Sequence, residues 1–194
     1  YNLNPDSMRE LQTPAPGDVL KRDGANLASV LELLADEAPD ARTRILEFLA
    51  CVVPGIKDVD VRHLAPAKKE MLLFRQEVVP QKTTWEFMAE NMSDGTLRAL
   101  GILTALFQSG VPSQQKAPVV GIEEPESALH PGAAGVLRDA LRAAARHTQV
   151  LVTSHSPDLL DNKSISDEDI IAVERRNGET LIAPVDAAGR SAIQ

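Results

Sequence analysis

The stretch from residue 118 to residue 126 constrains the fold of this 194-residue chain most, because a short apolar run ends in acidic residues and a proline. A continuous apolar run of this kind predicts a strand of a parallel sheet that is covered on both faces. The active sites of such sheets lie beyond the carboxyl ends of their strands, and Glu123 and Glu124 follow the apolar run directly. Two adjacent carboxylates in that position favour a site for Mg²⁺ and a nucleophilic water.

A second strand with a polar end follows the first one. Residues from Pro131 to about Arg146 have the apolar spacing of a helix, and the run from Gln149 to Thr153 predicts another buried strand. His155 comes two residues after that run. The order strand, helix, strand predicts a βαβ unit, so we expect an α/β fold with parallel core strands and flanking helices.

The chain as a whole is predicted to divide into three parts. Residues 1–25 are rich in Pro, Asp and Gly and are interpreted as a connector with at most a short helix near Pro5. Residues 26–92 are predicted to form a helical and small antiparallel β subregion, and residues 93–194 hold the acids and end in a hairpin turning at Asn177 and Gly178. Further predicted elements are helices from Asn26, from Ala41 to Val52 and from Ser93 to about Gln108, and strands near Val59, Met71 to Phe74 and Thr83 to Met88.

The composition favours an acidic globular protein. The formal net charge is −8 and the apolar content is 43%, which allows a sizeable core and argues against nucleic-acid binding through a large basic surface. Cys51 lies in an apolar run and is expected to be a core thiol, which fits a reducing compartment. The sequence has no apolar run long enough to span a bilayer and does not begin with Met, so we expect a cytoplasmic chain that is part of a longer protein.

A third polar segment, from Met92 to Arg98, stands at a predicted helix start. A helix N-terminus offers unpaired N–H groups and a partial positive charge to an anion, and Gly95 lets the backbone approach closely. Ser93 by itself equally fits a helix N-cap. Together with the acidic pair and the histidine after the second strand, this segment resembles the second lobe of an ABC-type ATPase head, similar to SMC, RecF and OLD-like AAA-family ATPases of the P-loop NTPase superfamily. The resemblance covers roughly residues 85 to 161.

The resemblance implies a role for each carboxylate and for the histidine. Glu123 matches the Walker B residue that holds Mg²⁺, generally through water, although many relatives have aspartate there. Glu124 matches the carboxylate that orients and polarises the attacking water. His155 matches the switch histidine, which reaches the γ-phosphate of ATP.

The resemblance also implies two segments that act across a dimer interface. The signature motif meets the γ-phosphate of ATP held by the other protomer, and the D-loop couples the two ATP sites. In the signature, Asp94 adds a like charge beside the phosphate, which Arg98, one turn on, could offset. In the D-loop, His130 stands where many members have aspartate. The signature corresponds to Ser93, Asp94, Gly95 and Thr96, and the D-loop to Ser127, Ala128, Leu129 and His130.

The sequence lacks the Gly-x-x-x-x-Gly-Lys-Ser/Thr loop, whose amides and lysine cradle phosphates in a complete P-loop ATPase. The resemblance therefore implies that the Walker A lobe lies elsewhere and that this lobe is inactive alone. Two complete heads would form a homodimer with ATP and Mg²⁺ between them. Several similar proteins act in DNA repair or phage defence, so a nucleic acid or a partner effector protein stays open as a further partner.

Three other interpretations stay open at this point. A catalytically silent module could dimerise or regulate a partner such as a nuclease, but it has no physical need for Ser93, Glu124 and His155 together. A transporter ATPase would be expected to carry the signature Leu-Ser-Gly-Gly-Gln, which this chain lacks. A metal-dependent hydrolase is disfavoured because no helix face supplies two ligands. Its ligands would come from Glu123, Glu124, Glu126, His130 and His155, whereas His63 and His147 have no partner in the sequence and are interpreted as surface or core residues.

Overall fold

The computed structural model describes residues 1–17, 19–78, 83–112, 119–127, 129–160 and 165–185. The chain forms two compact units, Tyr1–Ser154 and His155–Gln194. In the first unit the helices are α1 (Pro5–Arg9), α2 (Leu27–Glu37), α3 (Pro39–Val52), α4 (Asp94–Phe107) and α5 (Ala134–Ala145). The predicted helices after Asn26, Ser93 and Pro131 are therefore confirmed. None of the described helices has the length and apolar character needed to cross a membrane.

An antiparallel sheet forms where short β-prone runs alternate with prolines. It contains β1 (Ile56–Leu64), β2 (Lys69–Val78) and β3 (Thr83–Met88), in the order β1-β2-β3. In the register of the first pair, His63 lies opposite Glu70. Helices α2 and α3 both contact β1. The predicted small antiparallel sheet is thus confirmed.

A parallel pair of strands carries the acidic residues. β4 (Val119–Glu123) lies beside β5 (Gln149–Thr153), with Glu123 paired to Thr153, and α5 connects the two strands. This pair confirms the α/β fold with parallel strands.

The predicted coverage of β4 on both faces and the predicted burial of β5 were wrong. Val120 and Ile122 are buried, but Val119 and Leu151 are 41% and 55% exposed. Side chains alternate between the faces of a strand, and in the described part of the chain only one face of this pair is covered, with α4 contacting β4 and α5 contacting β5.

The core of the first unit forms around α4, which is buried along almost its whole length. Gly101 lets α1 and the preceding segment approach this helix, because an added Cβ would lie 2.9 Å from Leu3 Cδ1 and 3.0 Å from Met8 Sδ. Phe107 stacks on Phe48 of α3 at a ring-centroid distance of 5.7 Å. The close contacts therefore fix the first residues of the chain against the helix that begins after Ser93.

Cys51 is exposed, so its prediction as a core thiol was wrong. The buried residues of α3 are Ile45 and Leu49. Residue 51 is rotated by about 200° from residue 49 on a helix of 3.6 residues per turn, which places it on the solvent side.

The second unit contains α6 (Pro157–Leu160), β6 (Ile171–Arg176) and β7 (Glu179–Pro184). The two strands form an antiparallel hairpin in which Arg176 pairs with Glu179. Asn177 and Gly178 have φ values of 53° and 88°, the left-handed conformations that a tight two-residue hairpin turn requires. The hairpin predicted at this Asn-Gly pair is confirmed.

Candidate functional site

The Glu123 carboxylate is held from two directions at the end of β4. Arg22 Nη2 lies 2.9 Å from Oε1, and Asn2 Nδ2 donates a hydrogen bond to Oε2 at 3.0 Å. Asn2 reaches this position because the backbone of Tyr1 pairs with β4, its carbonyl accepting from the Glu123 amide at 2.9 Å and its backbone nitrogen donating to the Gly121 carbonyl. The Glu123 side chain remains 51% exposed. The acid is therefore oriented while staying open to solvent.

Tyr1 is anchored by its ring as well as by its backbone. Gln108 Nε2 donates to the phenol oxygen at 2.7 Å. Burial raises the pKa of the Tyr1 phenol, partly opposed by that hydrogen bond.

Glu124 leaves the strand through an unusual backbone conformation. Its φ is +41°, in the left-handed region that costs a residue with a side chain about 1–2 kcal/mol. Its amide still donates to the Thr153 carbonyl at 2.9 Å, and Ser127 Oγ donates to Oε2 at 3.1 Å. The chain therefore turns at Glu124, and the two neighbouring carboxylates do not follow the alternation of a continuing strand.

An open cleft of about 650 Å³ is lined by Arg22, which pairs with Glu123, and by Arg98 of α4. Arg98 reaches from α4 to the Glu124 carbonyl, with 3.5 Å between Nη2 and the oxygen. Its Nε is buried and has no hydrogen-bond partner among the described residues. Two guanidinium groups in one cleft favour an anion such as phosphate. The cleft is lined by Asn2, Leu3, Asn4, Pro5, Arg22, Asp23 and Arg98.

No motif or spacing in the sequence pointed to Asn2 or Arg22. They lie 121 and 101 positions from Glu123 along the chain. Both belong to the stretch interpreted as a connector, and neither stands in a recognisable motif. Only the packing of the first residues along α4 and β4 reveals them.

Ser93 is the N-cap of α4. Its Oγ accepts a hydrogen bond from the Thr96 amide at 3.2 Å and lies 2.9 Å from Thr96 Oγ1. The side chain of Thr96 is buried, whereas Ser93 and Asp94 are exposed. The helix therefore presents its capped N-terminus to solvent, as an anion site requires.

Arg9 of α1 neutralises Asp94. Arg9 Nη2 lies 2.5 Å from Asp94 Oδ1 and 3.3 Å from the Met92 carbonyl oxygen. The expectation that Arg98 offsets Asp94 was wrong, because Arg98 is directed to the Glu124 carbonyl instead. The spacing of one helical turn would allow Arg98 to pair with Asp94, but Arg9 of α1 pairs with Asp94 instead.

The described residues of the segment predicted as a D-loop form tight turns. Ala128 of this segment lies outside the described residues. Ser127 contacts Glu124, and the Leu129 amide donates to the Glu126 carbonyl at 3.0 Å. His130 Nδ1 accepts from the Gly132 amide at 3.1 Å. The Glu126 carboxylate accepts from Ser154 Oγ at 2.6 Å, which links this turn to the end of β5.

His155 opens the second unit, two residues after β5 ends. Its chain position follows the prediction, and its approach to the acids stays a prediction. The metal-hydrolase alternative gains no support, because the one group of three metal-ligating side chains found among the described residues is Glu32, His63 and Glu70.

Comparison with solved structures finds the same fold in SMC ATPase heads. The chain superposes with a TM-score of 0.60 and 15% identity on a structure from work on "ATP-driven dimerization and DNA stimulated activation of SMC ATPases", covering 86% of this chain and 92% of that one. An SMC head bound to the C-terminal winged-helix domain of ScpA gives 0.56 and 14%, covering 82% and 50%. An SMC head from Pyrococcus furiosus with an extended coiled coil, bound to the C-terminal domain of ScpA, gives 0.54 and 16%, covering 79% and 36%. The chain thus spans half or less of the latter two proteins.

Comparison with curated proteins finds no match. Comparison with protein-family models matches residues 57–161 to the family described as "AAA domain, putative AbiEii toxin, Type IV TA system". The matched segment is just over half of the chain and includes the acids, the capped start of α4 and His155. On this evidence the chain belongs to that AAA-domain family, with an ATPase-like fold similar to the heads of SMC proteins.

Proposed function

We propose that this chain is the signature and Walker B lobe of a cytoplasmic ATPase that binds and hydrolyses ATP as a head-to-tail homodimer. The observation that carries the proposal is the pair of carboxylates at the carboxyl end of β4, beside a cleft that contains Arg22 and Arg98. Acids at such a strand end can bind a metal ion and activate water, and guanidinium groups can bind phosphate. The proposed lobe is residues 93–194, preceded by the subregion 26–92 and the connector 1–25.

Glu123 fits the requirements of a Mg²⁺ ligand. Mg²⁺ takes one or two carboxylates and keeps several waters, and the Glu123 carboxylate is half exposed with its orientation set by Asn2 and Arg22. When bound, Mg²⁺ would supply charge neutralisation for the phosphates. Glu123 would hold it through water. Arg22, which lines the same cleft, would pair with phosphate oxygens.

Glu124 is the proposed general base. Its carboxylate is oriented by Ser127, and the turn at this residue separates its direction from that of Glu123. A base must reach the attacking water without competing for the metal, and the left-handed backbone makes that division of roles possible. His155 is the proposed sensor of the γ-phosphate.

Two segments are proposed to act across the dimer. The capped N-terminus of α4, with Ser93, Asp94, Gly95 and Thr96, would meet the γ-phosphate of ATP bound to the partner. The Arg9 contact makes Asp94 tolerable beside that phosphate. The segment of Ser127, Ala128, Leu129 and His130 would form the D-loop contact between protomers. The cradle for the remaining phosphates would come from a Walker A lobe, which this sequence does not contain.

The test is ATP turnover by the complete gene product, as wild type and as Glu124→Gln, each with and without linear duplex DNA. Loss of a general base is expected to lower turnover by about 100-fold or more. ATP-dependent dimers, measured by light scattering, should persist because Gln keeps the shape of the side chain. DNA stimulation would connect the ATPase to repair or defence.

A silent dimerisation or regulatory module is the second candidate. The observation that favours it is that both oxygens of Glu123 already have protein partners, Arg22 and Asn2. A silent module would show no turnover in the wild type and no change on Glu124→Gln. That result would overturn the enzymatic proposal and keep the interaction one.

A further inference from the structure

Glu32 of α2, His63 of β1 and Glu70 of β2 bring three metal-ligating side chains together, apart from the acids after β4. Glu32 Oε1 lies 2.6 Å from His63 Nε2, and Glu70 Oε2 lies 3.9 Å from His63 Nδ1. One ligating atom from each residue can be chosen so that all three lie within 4.8 Å of one another. The three residues come from three elements, so the tertiary structure alone creates the group.

Glu70 is the buried member of this group. Its side chain is only 1% exposed, and its backbone is fixed by paired hydrogen bonds with Gln12. Ser29 Oγ donates to Oε1, but Oε2 accepts no hydrogen bond from any described residue. No lysine or arginine of the described chain pairs with this carboxylate, although an ionised carboxylate in such a place requires a cation or several donors. The oxygen without a donor is the one turned toward His63.

The other two members keep this group open to solvent. The side chains of His63 and Glu32 are 51% and 44% exposed. A dissolved ion can therefore approach Oε2 of Glu70 from the side of these two residues. The group therefore combines one buried side chain, whose backbone is fixed, with two exposed side chains that can adjust their positions.

The geometry points to a binding site for a divalent transition metal of the Zn²⁺ class, ligated by Glu32, His63 and Glu70. Ligands about 2.1 Å from a tetrahedral ion lie about 3.4 Å apart, so one ligating atom from each residue has to move from within 4.8 Å to that spacing. Imidazole with carboxylate suits Zn²⁺, whereas Mg²⁺ takes oxygen ligands. A divalent ion balances the negative charges of both carboxylates, whereas an imidazolium balances the charge of only one. Water completes the coordination on the exposed side.

Such an ion joins α2 to the antiparallel sheet. Helix α2 already contacts β1 and β2, and the metal adds bonds from one side chain of the helix to one of each strand. The expected consequence is a more rigid subregion, independent of nucleotide. It does not depend on the ATPase proposal.

The test is calorimetric titration of the chelator-treated chain with Zn²⁺, and separately with Mg²⁺, alongside thermal unfolding. One Zn²⁺ per chain and a higher Tm are expected, with no competition from Mg²⁺. His63→Ala and Glu32→Gln should each weaken Zn²⁺ binding by at least about tenfold. These two positions are exposed, so the variants are expected to fold, whereas Glu70 is avoided because it is buried. His147→Ala is the matched control, because it removes another exposed histidine.

Co²⁺ provides a readout that a purely structural effect would not change. Visible absorption from bound Co²⁺ should be present in the wild type and in His147→Ala and absent in His63→Ala. The inference is overturned if Zn²⁺ does not bind, since the histidine then bridges the two carboxylates with a proton alone. It is equally overturned if binding survives His63→Ala or is lost in Glu123→Gln instead, which would assign the ion to the acids after β4.

Discussion

The N-terminus of α4 and the acidic turn after β4 carry the two halves of the proposed chemistry, and they are supported in different ways. Behind Ser93, every residue of helix α4 from Thr96 to Phe107 except Arg98 is buried. Behind Glu123, the β4 and β5 pair is covered on one face only in the described part of the chain. The first site is positioned by side-chain packing, and the second by backbone hydrogen bonds and by a few polar contacts.

This difference teaches where substitutions act. Removing a buried methyl group from a helix in the core lowers the stability of the whole unit, since packed interiors relax only partly around the cavity. A turn held by Arg22, Asn2 and Ser127 can lose a contact with little cost to folding, because exposed pairs contribute little. The comparison predicts large effects on stability near α4 and large effects on chemistry near β4.

The largest expected effect on stability separates the two regions directly. Leu97→Ala in α4 removes a side chain with 0% exposure and should lower the free energy of unfolding by about 2–5 kcal/mol. Leu151→Ala in β5, where the leucine is 55% exposed, is the matched control and should cost less than about 1 kcal/mol. Urea unfolding followed by circular dichroism measures both. Equal losses would show that the exposed face of the strand pair is in fact packed.

The next effect distinguishes a helix cap from a phosphate contact at Ser93. Ser93→Ala should lower the free energy of unfolding by about 1 kcal/mol, since the Thr96 amide loses its acceptor. Ser93→Asp restores a cap but adds a negative charge, so its stability should approach that of the wild type. In the complete protein, Ser93→Asp should nevertheless abolish ATP-dependent dimers, measured by light scattering. Intact dimers in Ser93→Asp would reduce Ser93 to a cap.

A smaller effect tests the backbone of the acidic turn. Glu124→Gly and Glu124→Ala both remove the carboxylate, but only glycine relieves the positive φ. Glu124→Gly should therefore be more stable to urea than Glu124→Ala by about 1 kcal/mol. Both should lack turnover in the complete protein. Equal stability of the two variants would mean that the left-handed conformation is not retained in solution.

The smallest effect concerns Arg22, which is 73% exposed in its pair with Glu123. Arg22→Gln should change the free energy of unfolding by less than about 0.5 kcal/mol, as for other exposed ion pairs. In the complete protein it should raise the ATP concentration needed for half-maximal turnover, because the cleft loses one guanidinium group. Arg62→Gln, which breaks an exposed pair with Glu86, is the control and should leave turnover unchanged. A large loss of stability in Arg22→Gln would contradict the comparison of the two regions.

Much of the local structure was predictable, because it depends on consecutive residues. The Asn177-Gly178 turn, the helix start after Ser93 and the parallel strand before Glu123 all follow from turn chemistry, capping and apolar runs. Burial was less predictable. An apolar run does not show how many faces are covered, so the exposure of Val119 and Leu151 was missed, as was that of Cys51.

The sequence by itself determined where the residues of the proposed chemistry lie along the chain: a pair of acids at a strand end, a capped helix start and a histidine after the next strand. Local dihedral preferences and side-chain periodicity are sufficient for that. Only the tertiary structure decided the partners, since Arg22 and Asn2 reach Glu123, Arg9 reaches Asp94, and a buried Glu70 meets His63 and Glu32. These contacts join residues far apart in sequence, and their formation depends on how whole elements pack rather than on any pattern of neighbouring residues.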